Sequence, residues 1–211
     1  MDLVKSYDFF KPETCGDRIH IIGCGAVGST VAENLVRFGL TNITLYDFDT
    51  VEAHNIANQM FRTIDIGKPK TQALVEILTE INPELEGKMR VEAEGYHGQR
   101  LSGYVFLCVD NIDLRREIAT ANKGNPYIKA MFDFRIRLED AQHYAADWKN
   151  PKMVNNFLAT MQFSHEEAKK ETQVSACNVE LSVAPTVRQI CALGVSNFIN
   201  FVKSGGAALK K

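Results

Sequence analysis

No stretch of this sequence has the roughly 18 uncharged apolar residues that a membrane-spanning helix needs. Its start, MDLVKSYDFFKPE, carries acids and no apolar core run, so neither a secretory leader nor a membrane partner is expected. Blocks of Lys or Arg are also missing. The 24 basic and 26 acidic residues leave a formal charge of -2, and without a basic face no nucleic-acid partner is expected. Cysteine is sparse and scattered: Cys15, Cys24, Cys108, Cys177 and Cys191 are odd in number and contain no C-x-x-C pair. That excludes a disulfide framework and a structural zinc site, and it predicts a reducing, cytoplasmic compartment. Cys24, Cys108 and Cys191 lie in apolar segments and read as small core residues.

What is present is an ordinary globular composition, 45% apolar and 24% charged, over a length that suits one α/β domain. The predicted domain is the whole chain, residues 1–211, with an N-terminal arm over 1–17. Residues 18–22 (RIHII) read as a strand that stops at glycine, and the spacing of Val31, Ala32, Leu35, Val36 and Phe38 predicts a helix over 29–38. A second strand follows over 42–46 (NITLY), which completes a parallel βαβ unit. Residues 49–67 read as a long loop, 69–81 as a helix, and 88–94 as a strand. The continuous apolar run at 104–109 (YVFLCV) has the pattern of a central strand buried on both faces, with a helix after it over 112–123. Residues 127–148 suggest two or three further strands, antiparallel at the sheet edge. Residues 150–175 read as an irregular surface connection with a charged helical patch at 165–171, part of a mobile crossover over 150–178. The last helix is predicted over 183–203. The fold class is therefore a doubly wound, mostly parallel Rossmann-like sheet with antiparallel strands at one edge and a C-terminal interface helix.

The chemistry concentrates around G-C-G-A-V-G, residues 23–28, placed between strand and helix. Gly23, Gly25 and Gly28 permit a tight turn and a close approach of phosphate to backbone N–H groups, at the positive end of a helix. Asp47, 19 residues beyond Gly28 at the end of the second strand, stands where an acid binds ribose hydroxyls. Up to this point NAD and ATP fit equally well. Three features then favour ATP. Asn55, Gln59 and Lys68 follow the second strand and suit a triphosphate. Asp110 and Asn111 lie at the carboxyl end of the buried strand, where a carboxylate facing phosphates implies Mg²⁺ between them. No Tyr-x-x-x-Lys or similar hydride-transfer set is present.

Residues 18–116, with D-F-D, N-x-x-x-Q, G-K-P-K and D-N-x-x-x-R in order, resemble the ThiF/MoeB superfamily, the fold of ubiquitin-activating enzymes. Residues 177–202 resemble that family's proline-containing C-terminal dimer helix. The resemblance implies ATP·Mg-dependent adenylation of the C-terminal glycine carboxylate of a ubiquitin-like β-grasp protein ending in Gly-Gly, by a homodimer. By carry-over, Gly23, Gly25 and Gly28 hold the nucleotide and Asp47 the ribose, while Asp49, Asn55, Gln59 and Lys68 line the triphosphate and Asp110 holds Mg²⁺. The family's arginine before the glutamine is replaced here by Asn58, for which Arg62 is the candidate substitute. Cys177 falls near the family's crossover-loop cysteine, and two readings stay open for it, a reactive thiol and a packing residue. A non-catalytic homologue that kept the fold and lost the phosphate arginines is the main alternative, with an NAD-dependent oxidoreductase behind it.

Overall fold

The computed structural model describes residues 1–176, 181–207 and 209. One six-stranded sheet runs in the order β3-β2-β1-β4-β5-β6. Its strands are β1 (Ile19–Ile22), β2 (Ile43–Tyr46), β3 (Arg90–Glu92), β4 (Gly103–Leu107), β5 (Ile128–Arg137) and β6 (Asp140–Asp147). The first five are parallel to their neighbours, and β6 returns antiparallel to β5. The expected doubly wound fold class is what the chain adopts. The edge is one antiparallel strand, because β5 continues the parallel set before turning back.

Alternation along the strands sorts the core into two layers. Ile19, Ile21, Ile43, Leu45, Phe106, Phe132 and Phe134 face the layer of α1 (Ala26–Arg37), α2 (Lys70–Ile81) and α6 (Ala184–Lys203). Ile22, Tyr46, Val105, Leu107 and Met131 face α3 (Ile112–Ala121) and α4 (Pro151–Ala159). The first layer is knitted by aromatic contacts: Phe106 stacks on Phe132 at 4.9 Å, and Phe198 of α6 meets both rings edge-on. Gly194 lets α6 approach this closely, since a Cβ there would lie 2.1 Å from the Phe134 ring. Among the described residues, no helix is long and apolar enough to cross a membrane.

Two sequence expectations need correction. The first helix begins at Ala26 rather than Ser29, so Gly28 lies inside its first turn. Residues 150–175 are not irregular throughout. Asn150 caps α4 by accepting from the Lys152 and Met153 N–H groups, Pro151 opens it, and Val154, Phe157 and Met161 recur on one buried face under Trp148. The short period hid in a polar context. The charged patch does form a helix, α5 (His165–Glu171), with no buried residue.

His20 is a buried histidine with both ring nitrogens partnered. The Ser102 N–H donates to Nε2 at 3.3 Å, which leaves the proton on Nδ1, 2.8 Å from the Tyr46 hydroxyl. Burial and the nearby Arg18 push its pKa down to about 4. Because the folded value lies below the unfolded one, its contribution is complete above about pH 6.5 and is lost as the pH falls toward about 4. We expect a loss on the order of 3 kcal/mol across that window. In His20→Gln, urea unfolding measured at stepped pH should show a flatter curve, and an unchanged slope would count against this assignment.

Candidate active site

The three glycines of the first turn do different work. Gly23 has φ +95°, and a Cβ on it would lie 2.8 Å from the backbone of Cys108 and Val109. A Cβ on Gly28 would lie 1.8 Å from the Gly23 carbonyl oxygen. These two therefore let the turn, α1 and the end of β4 touch through backbone alone. Gly25, the N-cap of α1, is different: a Cβ there would meet nothing within 4 Å. It faces open space beside the N–H groups of Ala26, Val27 and Gly28, which precede the first intrahelical bond, from Ser29 N–H to the Gly25 carbonyl.

Asp47 is tied to this turn. Its carboxylate accepts from the Cys24 N–H at 2.6 Å and from the Asp49 N–H at 2.8 Å. Burial pushes its pKa up, against those two donors and Lys70, which pull it down. Lys70 is a buried cation beside this turn. It is almost fully buried, its Nζ lies 2.7 Å from Asp49 Oδ2, and its charge is felt by both Asp47 and Cys24.

Lys68, which the sequence reading assigned to the triphosphate, is committed elsewhere. Its Nζ lies 2.5 Å from Glu76 and 3.3 Å from Asp65. Arg62 joins the same cluster: its Nε lies 2.9 Å from Asp65, and its Nη1 donates to both oxygens of Glu80. Asp65 is fully buried, and Arg62 holds its carboxyl down at about 2. Lys68 and Arg62 thus staple the loop before α2 to the helix, each bonded to carboxylates of that loop and helix. Nothing in one dimension separates the two lysines of G-K-P-K. Burial and the bond to Asp49 do.

Asn55 is buried and accepts from the Glu52 N–H at 2.8 Å. Its loop rests on α1 through the Met60 N–H, which donates to Ser29 Oγ, so Gln59 sits beside the helix start. Gln59 Oε1 is buried with no partner among the described residues. Asn58, at the position of the family's arginine, turns its amide 3.4 Å from the Ser182 carbonyl, on the segment leading into α6. Cys177 lies outside the described residues.

Asp110 lies three residues past the end of β4 and is exposed, two residues from the backbone that packs on Gly23, and its carboxylate has no partner among the described residues. Asn111, expected to contact nucleotide, instead spends its Oδ1 on capping α3, accepting from the Asp113 and Leu114 N–H groups at 2.9 and 3.1 Å. An open glycine turn, an orphaned amide oxygen, a buried lysine and a free carboxylate are a donor set that fits a nucleotide carrying a hard divalent cation. Among the described residues, no group of three His, Cys, Asp or Glu could hold a metal by itself, so such a cation would be shared with the phosphates.

A family model described as "ThiF family" matches residues 15–210. Ubiquitin-like modifier-activating enzyme 5 of Arabidopsis thaliana is 46% identical over 85 residues, covering 40% of this chain and 19% of that protein. The protein of the same name from Dictyostelium discoideum is 35% identical over 137 residues, covering 57% and 35%. The chain thus spans between a fifth and about a third of the length of these relatives. Among solved structures, the E. coli tRNA N6-threonylcarbamoyladenosine dehydratase TcdA superimposes with a TM-score of 0.67 at 17% identity, covering 97% of this chain and 95% of that one. E. coli MccB with ATP gives 0.69 at 16% identity, covering 91% and 57%. At these identities the structural likeness establishes the fold alone.

The two classes of glycine can be told apart by melting. Gly28→Ala should lower stability by about 3 kcal/mol through backbone overlap, a Tm loss on the order of 10 °C. Gly25→Ala should melt close to the unmodified protein. Equal losses in both would contradict the division.

Proposed function

Because the chain belongs to the ThiF family, we propose that it is an ATP·Mg-dependent adenylyltransferase that activates the C-terminal glycine carboxylate of a ubiquitin-like β-grasp protein. The reading is supported by the buried Lys70 on Asp49, by Asp47 on the Cys24 N–H next to the open Gly25, and by the unpartnered Asp110 carboxylate beyond the end of β4. A triphosphate carries more charge than the pyrophosphate of a dinucleotide, and the buried Lys70, paired among the described residues with the exposed Asp49, suits it better. Incoming phosphate oxygens would take Asp49's place on Lys70, and the first N–H groups of α1 would carry further charge. Asp47, held by the Cys24 N–H, would accept from the ribose hydroxyls. Gln59 Oε1, a buried acceptor, would take a donor from the ligand or its water.

Magnesium, when bound, supplies charge neutralisation and alignment of the phosphates, and Asp110 is the residue that would hold it. The acceptor's carboxylate oxygen attacks the α-phosphorus, a new P–O bond forms as the bond to the β-phosphate bridging oxygen breaks, and pyrophosphate leaves with that electron pair. The chain's part is positioning and electrostatics rather than proton transfer. A homodimer in the cytoplasm belongs to the same reading. Its support is the residual apolar surface on and before α6, at Leu181, Val183 and Leu193. Sedimentation that finds only monomer at micromolar concentration would remove the dimer without touching the chemistry.

The non-catalytic alternative has one observation in its favour, namely that Asn58 holds Ser182 where the family places an arginine on phosphate. It differs in outcome, since nucleotide would bind but no acceptor would support exchange. The test is magnesium-dependent ATP–pyrophosphate exchange with small β-grasp proteins ending in Gly-Gly. Lys70→Ala should lower the rate on the order of a hundredfold. Lys68→Ala should stay within about twofold, since its partners Asp65 and Glu76 belong to the loop and helix outside the proposed site. The reverse ranking would defeat the assignment of Lys70.

A further inference from the structure

The arginine of D-N-x-x-x-R, Arg115, has no part in the reading above, yet its guanidinium makes four hydrogen bonds in a nearly solvent-free position. It is 5% exposed. Its Nε donates to the Val109 carbonyl at 2.7 Å, and its Nη2 donates to the same oxygen. Its Nη1 donates to Asp133 Oδ1 at 2.5 Å and to the Phe134 carbonyl at 2.5 Å. Asp133 is fully buried and is held on its other oxygen by Arg135 at 2.7 Å. One guanidinium thus joins the segment after β4 to the middle of β5, and it grips the peptide oxygen immediately before Asp110. On the other side of Asp110, Asn111 is fixed as the cap of α3. The backbone is held on both flanks of a residue whose own carboxylate is exposed and unpartnered among the described residues.

We propose that Arg115, locked by Asp133, is the positioning residue that aims the Asp110 carboxylate into the nucleotide crevice and so sets the affinity of that site for magnesium. This rests on the adenylation reading, in which Asp110 faces the metal and its phosphates. The fork matters more than the charge. A planar guanidinium places two donors on one carbonyl while a third reaches Asp133, which a lysine ammonium cannot reproduce. Outer-shell partners of this kind typically change metal affinity by about 10–100-fold when removed. A purely structural ion pair would instead lower stability and weaken nucleotide binding with and without metal alike.

The experiment is calorimetric titration with ATP at stepped MgCl₂, in the absence of any acceptor. In Arg115→Lys the half-saturating magnesium concentration should rise at least about tenfold, with metal-free ATP affinity unchanged. Should that variant fail to fold, the double variant Arg115→Met/Asp133→Asn replaces the buried pair with neutral groups, an exchange folded proteins often tolerate, and should show the same shift. An unshifted magnesium dependence in either folded variant overturns the proposal. So does an equal loss with and without metal, or a failure of both variants to fold, since each makes Arg115 a residue of the fold alone. If the unmodified protein shows no magnesium-dependent ATP binding, the adenylation reading itself fails and this inference falls with it.

Discussion

The Gly23 carbonyl oxygen occupies the place where any side chain at residue 28 would begin, and the rest of the site depends on that contact. It brings the first turn of α1 down onto the ends of β1 and β4, so that the unpaired N–H groups of the helix open over the carboxyl edge of the sheet. Gly23 fills the matching gap against Cys108 and Val109. Asp47 then reaches the Cys24 N–H, and Asp110 leaves β4 within a residue or two of the same turn. Separating α1 from the strand ends by even one methyl group would move every charged group of the crevice relative to its neighbours.

Around that contact the charges form two separate systems. The inner one is spare: Lys70 has Asp49, Asp47 has two backbone donors, and Asp110 is left open. The outer one is crowded, with Arg62, Asp65, Lys68, Glu76 and Glu80 bonded in a chain along α2. The difference follows from what each must do. The outer system closes a loop and is complete as it stands, with Asp65 satisfied from several directions although no solvent reaches it. The inner system keeps acceptor and donor capacity that a nucleotide would use under the adenylation proposal.

A third polar system lies behind the strands. Asp133 sits between Arg115 and Arg135, and Arg135 in turn donates to the Thr160 carbonyl and hydroxyl and stacks 4.5 Å from the Tyr144 ring. The connection after α4 is thereby tied to the end of β5, while Arg116 reaches the Met161 and Phe163 carbonyls from α3. The segment that a polar composition suggests is loose is anchored at its start by buried apolar residues and by these guanidinium contacts. On the opposite side, the chain entering α6 touches the loop of Asn58 through Ser182.

The parallel βαβ start, the buried central strand and the glycine motif were legible in one dimension because each is a local pattern: a β-branched run, a period of 3.6, a turn that only glycine permits. The candidate acids at strand ends were legible for the same reason, since the end of a strand in such a sheet is already a location. What tertiary structure alone decided was direction. Lys68 and Lys70 stand two residues apart in one motif, yet one is drawn to Glu76 and the other to Asp49. The Asn111 Oδ1 became the cap of α3 because that helix needed an acceptor there. Arg115 found its partner Asp133 on a strand 18 residues away. Pairings of that kind are settled by which elements lie side by side and by how much water is excluded between them, and neither is a property of neighbouring letters in a chain.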